Sequence, residues 1–212
     1  LERAQQVFVT SPPYLQASSA LKRWRDKCAV VPLGINLRGI PPAQTLEASL
    51  RWRPETTLRL LSIGRLTYYK GFETLISAVA SLPGVELLIA GNGELRETLQ
   101  AQIDSVTSLG SPPATRLLGS VDDGQKHSLL EQCDLFCLAS RERTEAFGMV
   151  LLEAMQHAKP CLVTDLPGSG MPWVVSHAQC GLHVPFEDLD AWRSAIARLQ
   201  HDPALRARLG QS

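Results

Sequence analysis

The stretch Glu145-Ala-Phe-Gly-Met-Val-Leu-Leu-Glu153 sets two glutamates eight positions apart, one just ahead of an apolar helical pattern and one inside it. Upstream, Leu135-Phe-Cys-Leu138 is a short apolar run of the length and composition of a buried strand. The local order is therefore strand, polar loop carrying Glu145, and a helix beginning near Phe147. A helix N-terminus offers unpaired amides and the positive end of the helix dipole, which together suit a phosphate. Glu153 falls roughly two turns further on, about 9 Å along the axis. That matches the reach from a diphosphate to the sugar hydroxyls of a nucleotide. An acid on an otherwise apolar face needs a partner, and a diol supplies two donors.

Outward from this stretch the chain alternates regularly. Strands are expected near Leu58–Ile63, Val85–Ala90, Thr115–Leu118, Leu135–Leu138, Cys161–Thr164 and Gly181–Val184. Helical patterns lie between them near Phe72–Leu82, Glu94–Ser108, Gln125–Gln132, Phe147–His157 and Trp173–His177, followed by Leu189–His201. A last helix is expected after Asp202-Pro203, a cap followed by proline at the first helical position. Strands alternating with helices imply right-handed crossovers and an α/β fold, a doubly wound parallel sheet of about six strands. The first 36 residues read differently: a strand at Val7–Thr10, a helix from Tyr14 to about Arg25 and a strand at Ala29–Pro32. Two strands cannot bury both faces of a sheet, so this piece is expected to be the remnant of an N-terminal domain missing from the chain. Residues 37–57, rich in proline, read as an interdomain linker, and 58–212 as the nucleotide-sugar-binding domain.

In a doubly wound sheet, ligands bind beyond the carboxyl ends of the strands. After the first strand comes Gly64-Arg-Leu-Thr-Tyr-Tyr-Lys70-Gly71, with two cations five positions apart. Arg65 can fork across phosphate oxygens while Lys70 acts as a point charge; the alternative is a pair of solvated surface cations. Gly91-Asn-Gly93 after the second strand is half of a glycine-rich fingerprint and reads better as a tight strand-to-helix turn. After the third strand, Val121 could lie on a flat base, with Asp123 and Lys126 at its edge or on the ribose. The competing reading is an aspartate cap followed by an exposed lysine. Asp165-Leu-Pro-Gly168-Ser-Gly170 suits close approach by a ligand or a neighbouring domain.

Composition excludes several classes. Lys plus Arg and Asp plus Glu both number 21, so no bulk field favours nucleic acid, and any anion site is local. No apolar run approaches the ~20 residues needed to span a bilayer. Five scattered cysteines read as reduced residues of a cytoplasmic protein, and Cys133-x-x-x-Cys137 lacks zinc companions. None of His127, His157, His177, His183 and His201 has a spaced partner, which argues against metal ligation or a triad.

Taken in order, Gly64-Arg65…Lys70-Gly71, Ala90-Gly91-x-Gly93, Gly119-x-Val121 and Glu145-x7-Glu153 resemble the retaining glycosyltransferase family 4, in the C-terminal half of a GT-B enzyme. The resemblance covers roughly Leu58 to His201, and Val30-Val-Pro-Leu-Gly-Ile-Asn36 is similar to the exit from that family's N-terminal domain. It implies a Rossmann-like sheet and transfer of a sugar from a UDP- or GDP-linked donor, with retention and without a bound metal or other cofactor. It also implies catalytic roles for Arg65, Lys70 and Glu145. Donor contacts would come from Glu145 with the backbone around Phe147, Gly148 and Met149, ribose bonding from Glu153, and base contacts from Val121, Asp123 and Lys126. Where the family often has Gly-Gly-x-x-Glu, this chain has Gly168-Ser-Gly-Met-Pro-Trp173, so that loop's usual acid is absent. A saccharide or lipid-linked acceptor is expected to sit mainly on the missing domain, leaving this chain alone with little activity. A non-catalytic nucleotide-binding module and a GT-B-like nucleotide-sugar epimerase are the alternatives. The expected setting is cytoplasmic, with contact at the inner face of a membrane left open only for the full-length protein.

Overall fold

The computed structural model describes residues 1–36, 42, 44–107 and 112–211. Its main sheet has six parallel strands: β3 (Leu58–Ile63), β4 (Val85–Ala90), β5 (Thr115–Gly119), β6 (Leu135–Leu138), β7 (Cys161–Asp165) and β8 (Gly181–Pro185). Their order is β5-β4-β3-β6-β7-β8. The doubly wound α/β fold expected from the alternation is thus realised, and each sheet strand lies within one residue of its expected bounds. These strands are legible because a parallel sheet covered on both faces demands continuous apolar runs; β4 is buried at every position.

Each face carries its own core. Leu58, Leu60, Leu87, Ile89 and Leu135 pack under α2 (Phe72–Val79), α3 (Arg96–Val106) and α7 (Leu189–His201), with Leu205 of α8 (Pro203–Gly210). Leu61, Leu88, Phe136, Leu138 and Val163 pack under α4 (Asp123–Gln132), α5 (Met149–Gln156) and α6 (Met171–Ala178). The second core also takes in Leu46, Leu50 and Trp52 from the stretch read as a linker. That segment is fastened by Glu86, a fully buried acid of β4, which accepts hydrogen bonds from the Arg53 amide at 2.8 Å, Thr56 Oγ1 at 2.8 Å and Arg116 Nε at 2.9 Å. Its carboxyl is held below the usual range: burial pushes it up, and the Arg53, Thr56 and Arg116 bonds outweigh burial.

The N-terminal piece pairs β1 (Val7–Val9) with β2 (Cys28–Val30) in parallel. The helix expected from Tyr14 to Arg25 is instead α1 (Pro12–Ala17) followed by a 3-10 segment, Ser19–Lys27. The break falls at Ser18, whose backbone is extended (φ −75°, ψ 106°). Ser11 caps α1, accepting from the Tyr14 amide at 3.4 Å. Asp188 and Asp202 cap α7 and α8 through the amides of Ala191 and Leu205, both at 2.8 Å.

Candidate donor-binding site

The strand order reverses between β3 and β6, so their C-terminal ends flank the crevice where an open α/β sheet takes its ligand. After β3, the backbone reaches a 3-10 turn, Tyr68–Lys70, and Gly71 in the left-handed region (φ 65°) starts α2. After β6, the loop of residues 139–148 leads to α5. Gly71 must be glycine on two counts: its φ, and an added Cβ that would sit 2.1 Å from the Ala139 carbonyl oxygen. The two loops therefore touch through their backbones.

Lys70 and Glu145 meet in the crevice as an ion pair, with side chains only 10% and 12% exposed. Ser140 Oγ lies 3.4 Å from the same Glu145 carboxylate, and Ser169 Oγ donates to the Glu145 carbonyl at 2.7 Å. Gly64 leaves room for the lysine stem, since a Cβ there would lie 3.1 Å from Lys70 Cε. A second pair stands further along α5. Lys126 Nζ of α4 donates to Glu153 at 3.0 Å and lies 3.2 Å from Asp123, with Lys126 and Glu153 20% and 25% exposed. Burial pulls the Lys126 pKa down, but the bonds from Glu153 and Asp123 outweigh it and leave the ammonium above its ordinary value.

Two pairs thus flank the loop and helix that follow β6, Lys70 with Glu145 and Lys126 with Glu153, the second joined by Asp123, and the crevice holds the first. It does not bring in Arg65, whose side chain is 76% exposed and pairs with Glu94 at 3.6 Å. The neighbouring Leu66 is fully buried, and its amide and carbonyl are bonded to Asn92 and Leu95, which turns Arg65 outward. Val121 packs at the edge of the second core. The Phe147 side chain is buried, its ring 6.4 Å from that of Trp173, so only its backbone can face a ligand. Helix α5 starts at Met149 rather than Phe147, because Gly148 takes φ 79° as its N-cap. Glu153 is then about 6 Å from the first helical residue along the axis. The capping aspartate of α4 is Asp122, in a capping box with Gln125, so Asp123 is free for its lysine. Lys126 is not the exposed lysine of the alternative reading.

Gly91 and Gly93 serve close packing: a Cβ on either would fall 1.9 Å from the Gly64 oxygen or 2.4 Å from that of Leu66. The Gly168–Gly170 loop meets the N-terminal piece, with Arg143 Nη1 donating to the Ala17 carbonyl at 2.6 Å and a Gly168 Cβ placed 2.5 Å from Ala17 Cβ. His127 Nδ1 and His157 Nε2 are 2.8 Å apart, a contact between two helices that sequence spacing could not reveal. Burial and the neighbouring His127 hold His157 below the ordinary histidine range. No group of three or more His, Cys, Asp or Glu among the described residues is placed to hold a metal ion. All five cysteines are free, and burial pushes the Cys133 thiol up to about 12. Among the described residues no helix is long and apolar enough to cross a membrane.

Residues 50–212 match the family model for glycosyl transferases group 1. The chain belongs to this family. It is 31% identical over 215 residues, all of the chain and 54% of the relative, to the D-rhamnosyltransferase WbpZ of Pseudomonas aeruginosa. It is 35% identical over 152 residues to the lipopolysaccharide core biosynthesis glycosyltransferase LpsE of Rhizobium meliloti, 72% of the chain and 42% of that protein. Among solved structures, sucrose-phosphate synthase from Thermosynechococcus elongatus superposes with a TM-score of 0.79 at 28% identity, over 100% of this chain and 53% of that one. Anabaena HepE, solved with UDP-glucose, superposes with a TM-score of 0.73 at 20% identity, over 98% and 57%. The chain spans about half the length of the curated relatives it matches, and it fits the C-terminal domain of a GT-B enzyme.

Proposed function

We propose that the chain is the donor-binding part of a retaining glycosyltransferase that moves a sugar from a UDP- or GDP-linked donor to a saccharide or lipid-linked acceptor. The observation that carries the reading is the pair of lysine–glutamate contacts made by the loop and helix that follow β6 at the switch point, Lys70 to Glu145 of the loop and Lys126 to Glu153 of α5. The diphosphate would lie at the N-terminus of α5 against Lys70. The ribose would bond Glu153, and the base would lie on Val121 beside Asp123 and Lys126. The donor sugar would face Glu145 and the backbone of Phe147, Gly148 and Met149. UDP-glucose bound by the structurally similar HepE supports this class of ligand.

In the reaction the anomeric carbon–oxygen bond to the diphosphate breaks and the acceptor oxygen bonds that carbon from the same side. The charge growing on the departing diphosphate is met by Lys70 and the α5 amides, so the reading requires no metal. Arg65 joins only by leaving Glu94, and a pair so exposed is screened by solvent, so the move costs little. The acceptor would be held mainly by an N-terminal domain, in a cytoplasmic protein whose membrane contact, if any, lies on that domain. Calorimetric titration of UDP and GDP tests the site: at least one should bind, and Lys70→Ala should weaken it. Failure of both nucleotides to bind would sink the reading.

A further inference from the structure

We propose that Arg141 is a positioning residue for the diphosphate end of the donor site, acting through Lys70. This rests on the donor-site reading above. Arg141 follows Ser140 in the β6–α5 loop, yet its hydrogen bonds and charge contacts among the described residues are with the β3–α2 loop and the first turn of α2. Its amide donates to the Tyr69 carbonyl at 2.8 Å. Its guanidinium donates to Thr74 Oγ1 at 3.3 Å, lies 3.9 Å from Glu73 Oε2, and sits 5.2 Å from the centre of the Tyr68 ring. Tyr68 and Tyr69 form the turn that carries Lys70, and Glu73 and Thr74 form the first turn of α2 that follows it. One side chain, about a quarter exposed, thus grips the segment on both sides of Lys70.

The neighbouring geometry makes that grip consequential. Glu73 Oε2 is buried and accepts no hydrogen bond among the described residues, so the Arg141 charge is what offsets it. Gly71 already lies against the Ala139 carbonyl and the Arg141 amide bonds the Tyr69 carbonyl, so the two loops meet through their backbones and the Arg141 side chain fixes the angle between them. A planar, multiply donating guanidinium can bond Thr74 and face Glu73 while stacking on Tyr68; a lysine ammonium cannot do all three. Lys70 Nζ is carried on this turn, so loosening the turn spreads its position relative to Glu145 and to a bound phosphate.

The test is calorimetry of the chain with UDP and GDP, and with uridine and guanosine as phosphate-free controls, for Arg141→Ala, Lys70→Ala and the double variant. The expected result is about tenfold weaker diphosphate binding for Arg141→Ala, about 1.4 kcal/mol, with nucleoside affinity within about twofold of the parent. On the Lys70→Ala background, Arg141→Ala should cause no further loss. Equal losses for nucleoside and diphosphate would make Arg141 a general structural residue and overturn the proposal. A further loss on the Lys70→Ala background would mean direct ligand contact and overturn it as well. If Arg141→Ala does not fold, Arg141→Lys carries the same comparison, since it keeps a cation beside Glu73; diphosphate affinity equal to the parent's would then refute the role. Lys70→Ala with unchanged diphosphate binding would instead refute the donor-site reading itself.

Discussion

Replacing Lys70 by methionine keeps the stem beside Gly64 and removes only the charge, leaving Glu145 without its cation. Removing one partner of a buried ion pair typically costs ~3–5 kcal/mol, because the other charge stays buried and uncompensated. Glu145 keeps the Ser140 hydroxyl at 3.4 Å and a sliver of solvent contact, so Lys70→Met should cost about 2–4 kcal/mol of unfolding free energy. Adding Glu145→Gln removes the orphaned charge and should recover at least half of that loss. In urea melts the expected order of midpoints is parent, then the double variant, then Lys70→Met. A charge-assisted hydrogen bond to phosphate is worth ~1.5–3 kcal/mol, so UDP or GDP should bind about 10- to 150-fold more weakly to Lys70→Met. Lys70→Met unfolding at the parent midpoint would show that Glu145 does not depend on the ammonium. Parent-like nucleotide affinity would show that the lysine does not face the diphosphate.

Glu153→Gln should weaken nucleoside diphosphates by about 1–3 kcal/mol and leave 2′,3′-dideoxy analogues nearly unchanged, since only the ribose bonds are lost; equal losses for both would count against the ribose role. Glu86→Gln should destabilise the fold by roughly 2–4 kcal/mol at neutral pH, because at least one bonded donor loses its acceptor and Arg53 and Arg116 lose the charge they face. The Glu86 carboxyl is depressed in the folded state, so its contribution is present above the unfolded value near ~4.3 and fades as pH falls through the folded one. The gap between parent and Glu86→Gln should therefore close in acid, and a gap that stays constant down to the acid limit of folding would refute the assignment. Gly91→Ala, at φ 141° with a Cβ 1.9 Å from the Gly64 oxygen, should lose at least ~3 kcal/mol, read as a lower thermal midpoint.

The sheet was legible because its physics is local. Leu135–Leu138 is apolar without interruption, Val85–Ala90 is broken only by Glu86, and each is followed by glycine or a polar turn. In the candidate site, the position of Glu153 in the second turn of α5 was legible from the helical pattern, while Lys70 and Glu145 stand in the loops before α2 and α5. The site was not legible where the geometry depends on how a loop folds back. Arg65 and Lys70 look equivalent in sequence, yet the buried Leu66 between them turns one outward while the other goes inward. Ser169 and Arg141 look like ordinary loop residues, and the contacts that matter join positions 24 and 67 apart. The same holds for His127 and His157, 30 residues apart on facing helices.

One consequence of the paired site bears on affinity. A lone lysine buried in the crevice would pay for desolvation by shedding its proton, which would cost the donor its counter-charge. Here each lysine is ion-paired with a glutamate of the segment after β6: Lys70 with Glu145, Lys126 with Glu153. A donor therefore exchanges partners with these cations rather than capturing free ones. Each new bond is offset by one weakened, so affinity should fall well short of a sum over contacts. The exchange also favours ligands that supply both ends at once. A diphosphate that reaches Lys70 while its ribose donates to Glu153 compensates both disturbed pairs, whereas inorganic diphosphate disturbs the first and gains nothing at the second. On that argument a nucleoside diphosphate should outbind inorganic diphosphate by more than the nucleoside's own affinity accounts for.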